Sequence, residues 1–362
     1  MPRTLDRRTL NRTTLHRQLL LERSGMAAQE AVERLVAVQA QEPNAPYVGL
    51  WNRLEGFHQD VLTGLLHERA IVRSSLLRGT QHMAATPDFH WLKPLLQPIA
   101  LRAWRAGFGR VAAGWDLDEL AAAARGVLAG RTLTRPELAR VLAERWPDRD
   151  PAALRWSLQA LVSVVHPPPS GTWNTFGAMR LALPEDWTGE PLRERGADEL
   201  VTRYLAAFGP ASARDFAVWS GLRRKDVDFE RLRPELRVYR DENGVELFDV
   251  PDGELVEDAA APVRFLPEFD NLVLAYADRT RVMADERRKV VCVGSDTKPT
   301  LLVDGRVHAV WSLRNDKKEG RATLTIKTFE PLPAGPAVEE EAARLLGFAA
   351  PGSAHEVRVV PA

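Results

Sequence analysis

Cysteine is almost absent from this chain of 362 residues, which contains one, Cys292. A single cysteine excludes an internal disulfide and a cluster of thiolate metal ligands, and this usage is typical of a reducing cytoplasm. Cys292 stands in the apolar run 290–293, where a small buried side chain is a simpler interpretation than a nucleophile. We therefore expect the chemistry of the chain to rest on other residue types.

Net charge and long apolar runs are also lacking. The sequence has 49 basic and 49 acidic residues, so nucleic-acid binding cannot be inferred from the total charge. No stretch approaches the roughly 20 apolar residues of a membrane span, and the arginine-rich start lacks the apolar segment of a secretory signal. We expect a soluble cytoplasmic protein with no membrane contact.

Lysine is scarce as well, with seven lysines against 42 arginines. Together with the many alanines, this bias is typical of a high-GC bacterial genome as much as of a binding surface. The basic residues are unevenly placed, however. Residues 1–25 carry six arginines against Asp6 and Glu22, whereas residues 336–341 form an acidic run. Any nucleic-acid surface must therefore come from local asymmetry.

The length and a hydrophobic content of 45% allow two or three domains with real cores. The first region reads as helices at 11–23, 28–41 and 59–68, with a short strand at 71–80. A second unit has helices at 116–128, from Thr134 and from Asp150 to about 164, then a hairpin at 172–183. Three helices followed by a hairpin are typical of a winged helix.

The same order returns in a third unit. Helices are predicted at 197–208, 213–219 and 226–232, and a hairpin at 236–250 turns at Asn243-Gly244. Such a repeated layout favours tandem winged helices, which usually bind nucleic acid.

Beyond residue 261 the pattern changes to strands, and a helix at 338–346 closes the chain. These strands predict a small antiparallel sheet or barrel. They lie at 263–266, 273–276, 289–293, 300–303, 307–313 and 322–329. We expect a mainly α fold with α+β character, in which three tandem winged helices and a small antiparallel β-barrel form a C-shaped DNA-binding surface. The expected boundaries are 1–112, 113–192, 193–258 and 259–362.

Two glutamines, Gln39 and Gln41, mark the end of the second predicted helix. Pro43 disfavours helical geometry at Glu42, so the helix should end near Gln41. In an extended exit, residues two apart point to the same side, which would place the two amides side by side. From the residues alone, the simpler interpretation is that the pair satisfies backbone groups at a helix end.

Several stretches together resemble the AlkZ-like bacterial DNA glycosylases. They span nearly the whole chain, so the combination is specific although no single motif is. The matching stretches are Gln39-Ala40-Gln41, Tyr47-Val48-Gly49-Leu50-Trp51, Arg78-Gly79-Thr80-Gln81-His82, Tyr204, Phe208-Gly209-Pro210, Asp215, Trp219-Ser220-Gly221, Leu266-Pro267-Glu268-Phe269-Asp270-Asn271, Asp278-Arg279, Val303-Asp304-Gly305 and Trp311. One departure is His308-Ala309-Val310-Trp311, where a Gly-Thr-Trp-like run is expected.

The resemblance implies a monofunctional glycosylase that acts on bulky N7-alkylpurines and interstrand crosslinks in double-stranded DNA. It also implies catalysis by Gln39 and Gln41, without a cofactor or a metal ion. The Gln-x-Gln form of the motif is typical of self-resistance enzymes that protect against a genotoxic natural product. The protein would be a monomer without a protein partner, associated with the nucleoid when bound to DNA.

Two amides suffice for this chemistry because N7-alkylated guanine is already cationic and leaves as a neutral base. What remains is to hold a water near the anomeric carbon and to stabilise a sugar with oxocarbenium character, which a glutamine carbonyl oxygen can do. We expect Gln41 to place the water and Gln39 to support the water or the sugar. Glu42 could act as a base, although a surface charge is the simpler interpretation.

DNA contacts should come from basic side chains that meet phosphates. His82 could contact a phosphate or the lesion, but a packed core histidine is the simpler interpretation. Asp270-Asn271 and Asp278-Arg279 could clamp DNA, but Asp-Arg pairs within sheets are usually structural. The predicted DNA-binding residues are Arg12, Arg17, Arg78, His82, Arg279, Arg281, Lys317 and Lys318.

Two other functions fit a winged-helix layout. A non-catalytic transcriptional regulator would be a dimer that reads palindromic half-sites and would not need either glutamine. A lesion-binding protein would shield damaged DNA without removing a base. Release of the base from a defined N7-alkylguanine duplex separates the three hypotheses.

Overall fold

The computed structural model describes residues 2–362, which form a mixed α/β chain. The first part combines helices with the small sheet that carries the glutamines. Asp6 begins the first helix, because its carboxylate accepts a hydrogen bond of 2.7 Å from the backbone N–H of Thr9. The elements of this part are β1 (Thr4–Leu5), α1 (Arg7–Arg17), α2 (Ala28–Arg34), β2 (Val38–Gln39), α3 (Ala45–Arg53), α4 (Gln59–His67), β3 (Ile71–Ser75), β4 (Gln81–Ala85) and α5 (Thr86–Phe108).

The second part begins its helices where the sequence predicted. Asp116, Thr134 and Asp150 each cap a helix through a side-chain oxygen that accepts from backbone N–H groups one turn ahead. The elements are α6 (Leu117–Leu128), β5 (Leu133–Thr134), α7 (Arg135–Arg145), α8 (Pro151–Leu161), β6 (Arg180–Leu181) and α9 (Pro184–Thr188).

The hairpin predicted at 172–183 is wrong in most of its length. Residues 167–179 form an irregular loop; β6 pairs with β5, and Ala182 pairs with Val165, rather than with a strand of the predicted hairpin. Backbone N–H groups of this loop donate mainly within the loop, as at Ser170, Thr172 and Thr175, and that of Asn174 donates to Asn44.

The third part follows the predicted order of helices and a hairpin. Its third helix, predicted at 226–232, is shortened to α12. The elements are α10 (Ala197–Phe208), α11 (Ala213–Ser220), α12 (Phe229–Leu232), β7 (Arg237–Asp241) and β8 (Glu246–Asp249). The N-terminal β1 joins β7 in parallel, so the start of the chain completes the sheet of this third part.

The last part is an open sheet with helices rather than the predicted closed barrel. Its five main strands lie in the order β15-β14-β13-β12-β9, and β15 runs parallel to β14. The strand predicted at 273–276 is largely helical, and most of the strand at 289–293 is helical too. The elements are β9 (Arg264–Leu266), α13 (Asn271–Leu274), α14 (Asp285–Val291), β10 (Cys292–Val293), β11 (Asp296–Thr297), β12 (Thr300–Val303), β13 (Arg306–Asp316), β14 (Arg321–Thr328), α15 (Ala337–Ala349) and β15 (Ala354–Pro361).

Two large hydrophobic cores join the parts of the chain at the segment that carries the glutamines. Val38 packs in a core with Trp51 of α3 and Phe265 of β9. Val36 packs in a second core with Tyr204 of α10, whereas α6, α7 and α8 share a core of their own. Residues 36–41 therefore lie where three parts of the chain meet. Within residues 2–362, no helix has the length and apolar character needed to cross a membrane.

Candidate functional site

Gln39 lies at the end of a short strand and Gln41 in the bend that follows it, which corrects the predicted helix at 28–41. Helix α2 ends at Arg34, and Val36 adopts a positive φ of 68°, which turns the chain away from the helix axis. Gln39 then pairs with His82 of β4 in an antiparallel register. The backbone N–H of Ala40 donates to Gln81 O at 2.8 Å, so the pairing continues one residue beyond the strand.

Gln39 is held from its side-chain oxygen. The side chain is 6% exposed, and its Oε1 accepts a hydrogen bond from Nη2 of Arg78, whose Nη1 donates to Trp219 O at 2.5 Å. A guanidinium only donates, so the amide oxygen must face Arg78 and the NH₂ group must point elsewhere. Burial and, to a smaller extent, the charge of Arg279 lower the pKa of Arg78 to about 10, so Arg78 is charged at neutral pH. Gln39 therefore offers hydrogen-bond donors to whatever lies beside it.

Gln41 has the opposite character, because it is exposed and lines a cavity of about 480 Å³. Its Oε1 lies 3.5 Å from the backbone N–H of Gln81, a long contact that leaves a lone pair of this oxygen for another donor. The two amides, which the sequence predicted to lie side by side, therefore have different hydrogen-bond partners. Gln39 lines a separate, tight cleft beside Pro267 and Asn271.

Arg73 fixes the backbone between the two glutamines, and no sequence pattern indicated it. The side chain is buried, and its Nε and Nη2 donate to Ala40 O at 3.1 and 2.9 Å. Gly171 closes over the guanidinium stem, since a Cβ at this glycine would lie 2.6 Å from Cδ of Arg73. Burial lowers the pKa of Arg73 to about 10, with Arg135 adding to the effect. A charged fork therefore clamps the carbonyl at the centre of the motif.

The loop after Gly171 is fastened beside the cavity by a reciprocal amide pair. Asn44 Nδ2 donates to Asn174 Oδ1 at 2.9 Å, and the backbone N–H of Asn174 donates to Asn44 Oδ1 at 2.7 Å. Next to this pair, the Trp173 ring meets the Tyr47 ring edge to face at 5.5 Å. The sequence places these residues too far apart for any local pattern to have joined them.

An acidic side chain lines the cavity or cleft of each glutamine. Glu42 is exposed and lines the cavity with Gln41. Burial raises the pKa of Glu268, and the negative charge of Glu42 raises it further. Since Glu268 lines the cleft of Gln39, each glutamine shares its cavity or cleft with a carboxyl group, which favours a positive charge nearby.

His82 corrects the expectation of a DNA contact. Its side chain is fully buried, and Nδ1 lies 2.9 Å from Thr80 O. Burial lowers the pKa of His82 to about 3, and the charge of Arg78 contributes, so the ring is neutral. This burial fits the interpretation of His82 as a packed core histidine.

Three of the arginines predicted to bind phosphate are instead buried among partners inside the protein. Arg12 pairs with Asp304 and donates to Ala259 O at 2.7 Å. Arg17 forms a two-pronged ion pair with Asp249 at 2.6 and 2.9 Å. Arg281 donates to the backbone at Pro210 O at 3.0 Å and lies over a tyrosine ring. Their predicted role is corrected, because these guanidinium groups have no surface on which to meet DNA.

The other predicted contacts divide into two kinds. Arg279 is half-buried and donates to Cys292 Sγ at 2.8 Å, and Arg78 holds Gln39 as described. Lys317 and Lys318 are exposed in the turn between β13 and β14. Of the eight predicted contacts, these two lysines are the ones free to reach a phosphate.

A second, larger cavity of about 620 Å³ lies in the third part of the chain, between α11, α12 and β8. Its wall includes Arg214, Arg223 and Lys225 but no residue of the glutamine segment. The volume of a cavity therefore does not identify the candidate functional site. In the described part of the chain, no three His, Cys, Asp or Glu side chains are grouped so that they could hold a metal ion.

Comparisons with known proteins agree with one another. The family described as DNA glycosylase AlkZ-like matches residues 32–348. An interstrand DNA cross-link repair glycosylase of Streptomyces sahachiroi is 26% identical over 368 residues, which cover 91% of this chain and 93% of the relative. The solved structure of Streptomyces sahachiroi DNA glycosylase AlkZ is similar with a TM-score of 0.81 and 22% identity, covering 99% of this chain and all of that one. At this identity, the likeness to the solved structure shows a shared fold.

Proposed function

The chain belongs to the family of AlkZ-like DNA glycosylases, and from this membership we propose that it removes bulky N7-alkylguanine from duplex DNA. The similar Streptomyces protein is named for interstrand cross-link repair, which supports crosslinks as a second substrate. The Gln39-Ala40-Gln41 form of the motif supports a role in self-resistance to a genotoxic natural product. The products would be an abasic site and the free alkylated base.

The observation that carries this proposal is the different placement of the two amides. Gln41 is exposed at the cavity and keeps acceptor capacity on its side-chain oxygen, whereas Gln39 is buried with its oxygen occupied by Arg78. Gln41 is therefore the amide that is open to the cavity and can accept a hydrogen bond from a water there. This supports the proposal that Gln41 places the nucleophile.

Hydrolysis then needs little proton transfer. A water held by Gln41 Oε1 attacks the C1′ carbon of the damaged nucleotide, and the bond from C1′ to N9 breaks. The bond's electron pair passes to N9 and neutralises the cationic base, and the water's proton leaves to solvent. A glutamine is a weak base, but it positions the water, and positioning is the larger need when the leaving group is good.

Gln39 would act as a donor. Because Arg78 takes its oxygen, the NH₂ group of Gln39 can donate to the sugar oxygens or to the water. We therefore assign Gln39 the role of a donor, because the hydrogen bond from the charged Arg78 reduces what its carbonyl oxygen can contribute to an oxocarbenium ion. The acidic side chains Glu42 and Glu268 supply negative potential for that cation instead.

DNA would lie across the first three parts of the chain, which we interpret as tandem winged helices with a concave face, the second of them without a regular hairpin. Lys317 and Lys318 are the contacts retained from the sequence, and they would bind phosphate at the turn after β13. The enzyme would work as a monomer, since one chain carries both glutamines and the DNA-binding turn.

The test is base release from a duplex with one N7-alkylguanine under single-turnover conditions. Gln41→Ala should slow release by about 10²-fold or more, in the range that positioned acid–base groups contribute. Gln39→Ala should slow release less, and Gln29→Ala provides a matched control because Gln29 lies on α2 and bonds to Glu33. Unchanged release by both site variants would contradict the assigned roles.

The same assay decides between the hypotheses. A wild-type protein that binds the damaged duplex but releases no base would be a lesion-binding protein. A protein that prefers one undamaged sequence as a dimer would be a regulator. Base release by the wild-type monomer excludes both.

A further inference from the structure

Phe176 is the most exposed large hydrophobic side chain in residues 2–362, at 66%. Single exposed apolar side chains are common on proteins and need no explanation by themselves. Phe176 differs because it lines the cavity that holds Gln41. An aromatic ring in water beside the reactive amide is therefore the feature that the mechanism above leaves unused.

The chain on the N-terminal side of Phe176 is fixed rather than loose. Asn174 is joined to Asn44 by two hydrogen bonds, and Trp173 packs on Tyr47. Thr172 Oγ1 also donates to Pro169 O at 2.8 Å. Because Asn44 stands three residues after Gln41, the loop that presents Phe176 is attached to the same short stretch as the reactive amide.

The residues after Phe176 leave space around the ring. Gly177 has a φ of 129°, which side-chain-bearing residues rarely adopt, and Ala178 is small. Both residues are exposed, and Arg180, also exposed, lines the same cavity. An exposed aromatic ring and a positive charge at one cavity are the combination that nucleic-acid surfaces use, with the ring for a base and the charge for a phosphate.

We propose that Phe176 stacks on a nucleobase of the substrate duplex next to the alkylated nucleotide. The proposal rests on the proposed function, because it takes the cavity of Gln41 as the place where damaged DNA binds. Stacking fits the site because it needs a fixed ring with an exposed face and does not depend on the identity of the base. It would hold the strand at the site while Gln41 holds the water.

The probe is a duplex with a stable tetrahydrofuran analogue of an abasic site, flanked on each side in turn by 2-aminopurine. This base is fluorescent, and its emission changes when its stacking partners change. We expect wild-type protein to change the emission of one flanking 2-aminopurine, and Phe176→Ala to abolish that change. The Ala variant should also bind this duplex about 5- to 150-fold more weakly, as loss of one base–aromatic stack predicts.

Two further variants separate stacking from simple apolar contact. Phe176→Tyr keeps the flat ring and should retain the signal and the affinity, whereas Phe176→Leu keeps apolar volume without a ring and should behave like Phe176→Ala. Val111→Ala is the control, because Val111 is 53% exposed and lines neither cavity described above. Its affinity should equal that of the wild type.

The outcomes distinguish this proposal from the function on which it rests. If wild-type protein releases alkylated base and Phe176→Ala matches it in affinity and fluorescence, the stacking proposal is overturned. If Phe176→Leu keeps the full signal, stacking is also overturned. If wild-type protein releases no base but the signal depends on an aromatic ring at 176, stacking stands and the glycosylase proposal falls.

Discussion

Arg78 donates a hydrogen bond to the side-chain oxygen of Gln39. The same guanidinium donates to Trp219 O at the end of α11, so the third part of the chain is connected to the glutamine segment through one side chain. Arg78 was predicted to meet a phosphate, and it instead decides which end of the Gln39 amide faces the cleft beside Pro267. In the proposed mechanism it is a positioning residue, which need not touch DNA.

Replacing Arg78 should therefore reduce the rate of base release more than the affinity for DNA. In Arg78→Met, the Gln39 amide can rotate, and we expect about 10- to 100-fold slower release, as the loss of a hydrogen bond to a charged donor predicts. Arg78→Lys should release base at a rate between those of the wild type and Arg78→Met. A lysine ammonium group lacks the planar fork with which Arg78 reaches both Gln39 Oε1 and Trp219 O. Single-turnover rates and the KM of each variant check this. A rise in KM at an unchanged rate would show that Arg78 binds DNA.

The buried pair of Arg17 and Asp249 should affect folding and not DNA binding. Arg17→Met leaves a carboxylate with 0% exposure without its partner, and we expect the free energy of unfolding to fall by about 3–5 kcal/mol. Urea unfolding measures this loss. The salt dependence of DNA affinity should be the same as in the wild type. A smaller salt dependence at full stability would restore Arg17 as a phosphate contact.

Local chemistry explains which elements the sequence could predict. Asp116, Thr134 and Asp150 cap helices within one turn of themselves, so the signal and the structure lie in the same few residues. The apolar run 273–276 reads equally as a strand. Its first two residues instead belong to α13. The Asp270 carboxylate caps this helix by accepting a hydrogen bond from Leu272 N, and the same carboxylate pairs with Arg53. Tertiary contacts of this kind override a short apolar pattern.

The site shows the same limit. Gln39 and Gln41 were proposed from the resemblance to a family whose motif is contiguous, whereas Arg73 and Asn174 reach this segment only through the folded chain. The prediction that Arg12, Arg17 and Arg281 contact DNA was wrong for a related reason. A guanidinium donates to backbone carbonyls and carboxylates as readily as to phosphate, so a count of arginines cannot separate interior clamps from surface contacts.

Lys317 and Lys318 should contribute to the salt dependence of DNA binding. Each phosphate contact releases counterions, so replacing one contacting lysine by glutamine should reduce the slope of log K against log salt by about 0.9. Lys327→Gln is the control, because Lys327 is exposed on β14 but lies outside the turn. Affinities measured at several salt concentrations give the slopes. Equal slopes for all three variants would place DNA elsewhere on the protein.

Lys93 should make the stability of the protein depend on pH above neutrality. Its side chain is 1% exposed, Nζ donates to Ser75 O at 3.0 Å, and burial lowers its pKa to about 7 from an ordinary value of 10.5. Between these two pKa values the unfolded chain binds a proton that the folded chain does not. The free energy of unfolding should therefore rise with pH over this window, by up to about 1.4 kcal/mol per pH unit.

Lys93→Met isolates this effect, because methionine fills a similar volume without a charge. At pH 7 the variant avoids the cost of burying the ammonium group, so we expect its free energy of unfolding to exceed that of the wild type. The lost hydrogen bond reduces this gain by about 1 kcal/mol. From pH 7 to pH 9 that advantage should shrink, since the wild type gains stability as Lys93 loses its proton. Urea unfolding of both proteins at the two pH values measures the difference, with Lys289→Met as an exposed control that should show none. If the advantage of Lys93→Met is the same at both pH values, the lysine keeps its proton in the folded protein, and its single carbonyl partner together with the surrounding dipoles is enough to hold a buried charge.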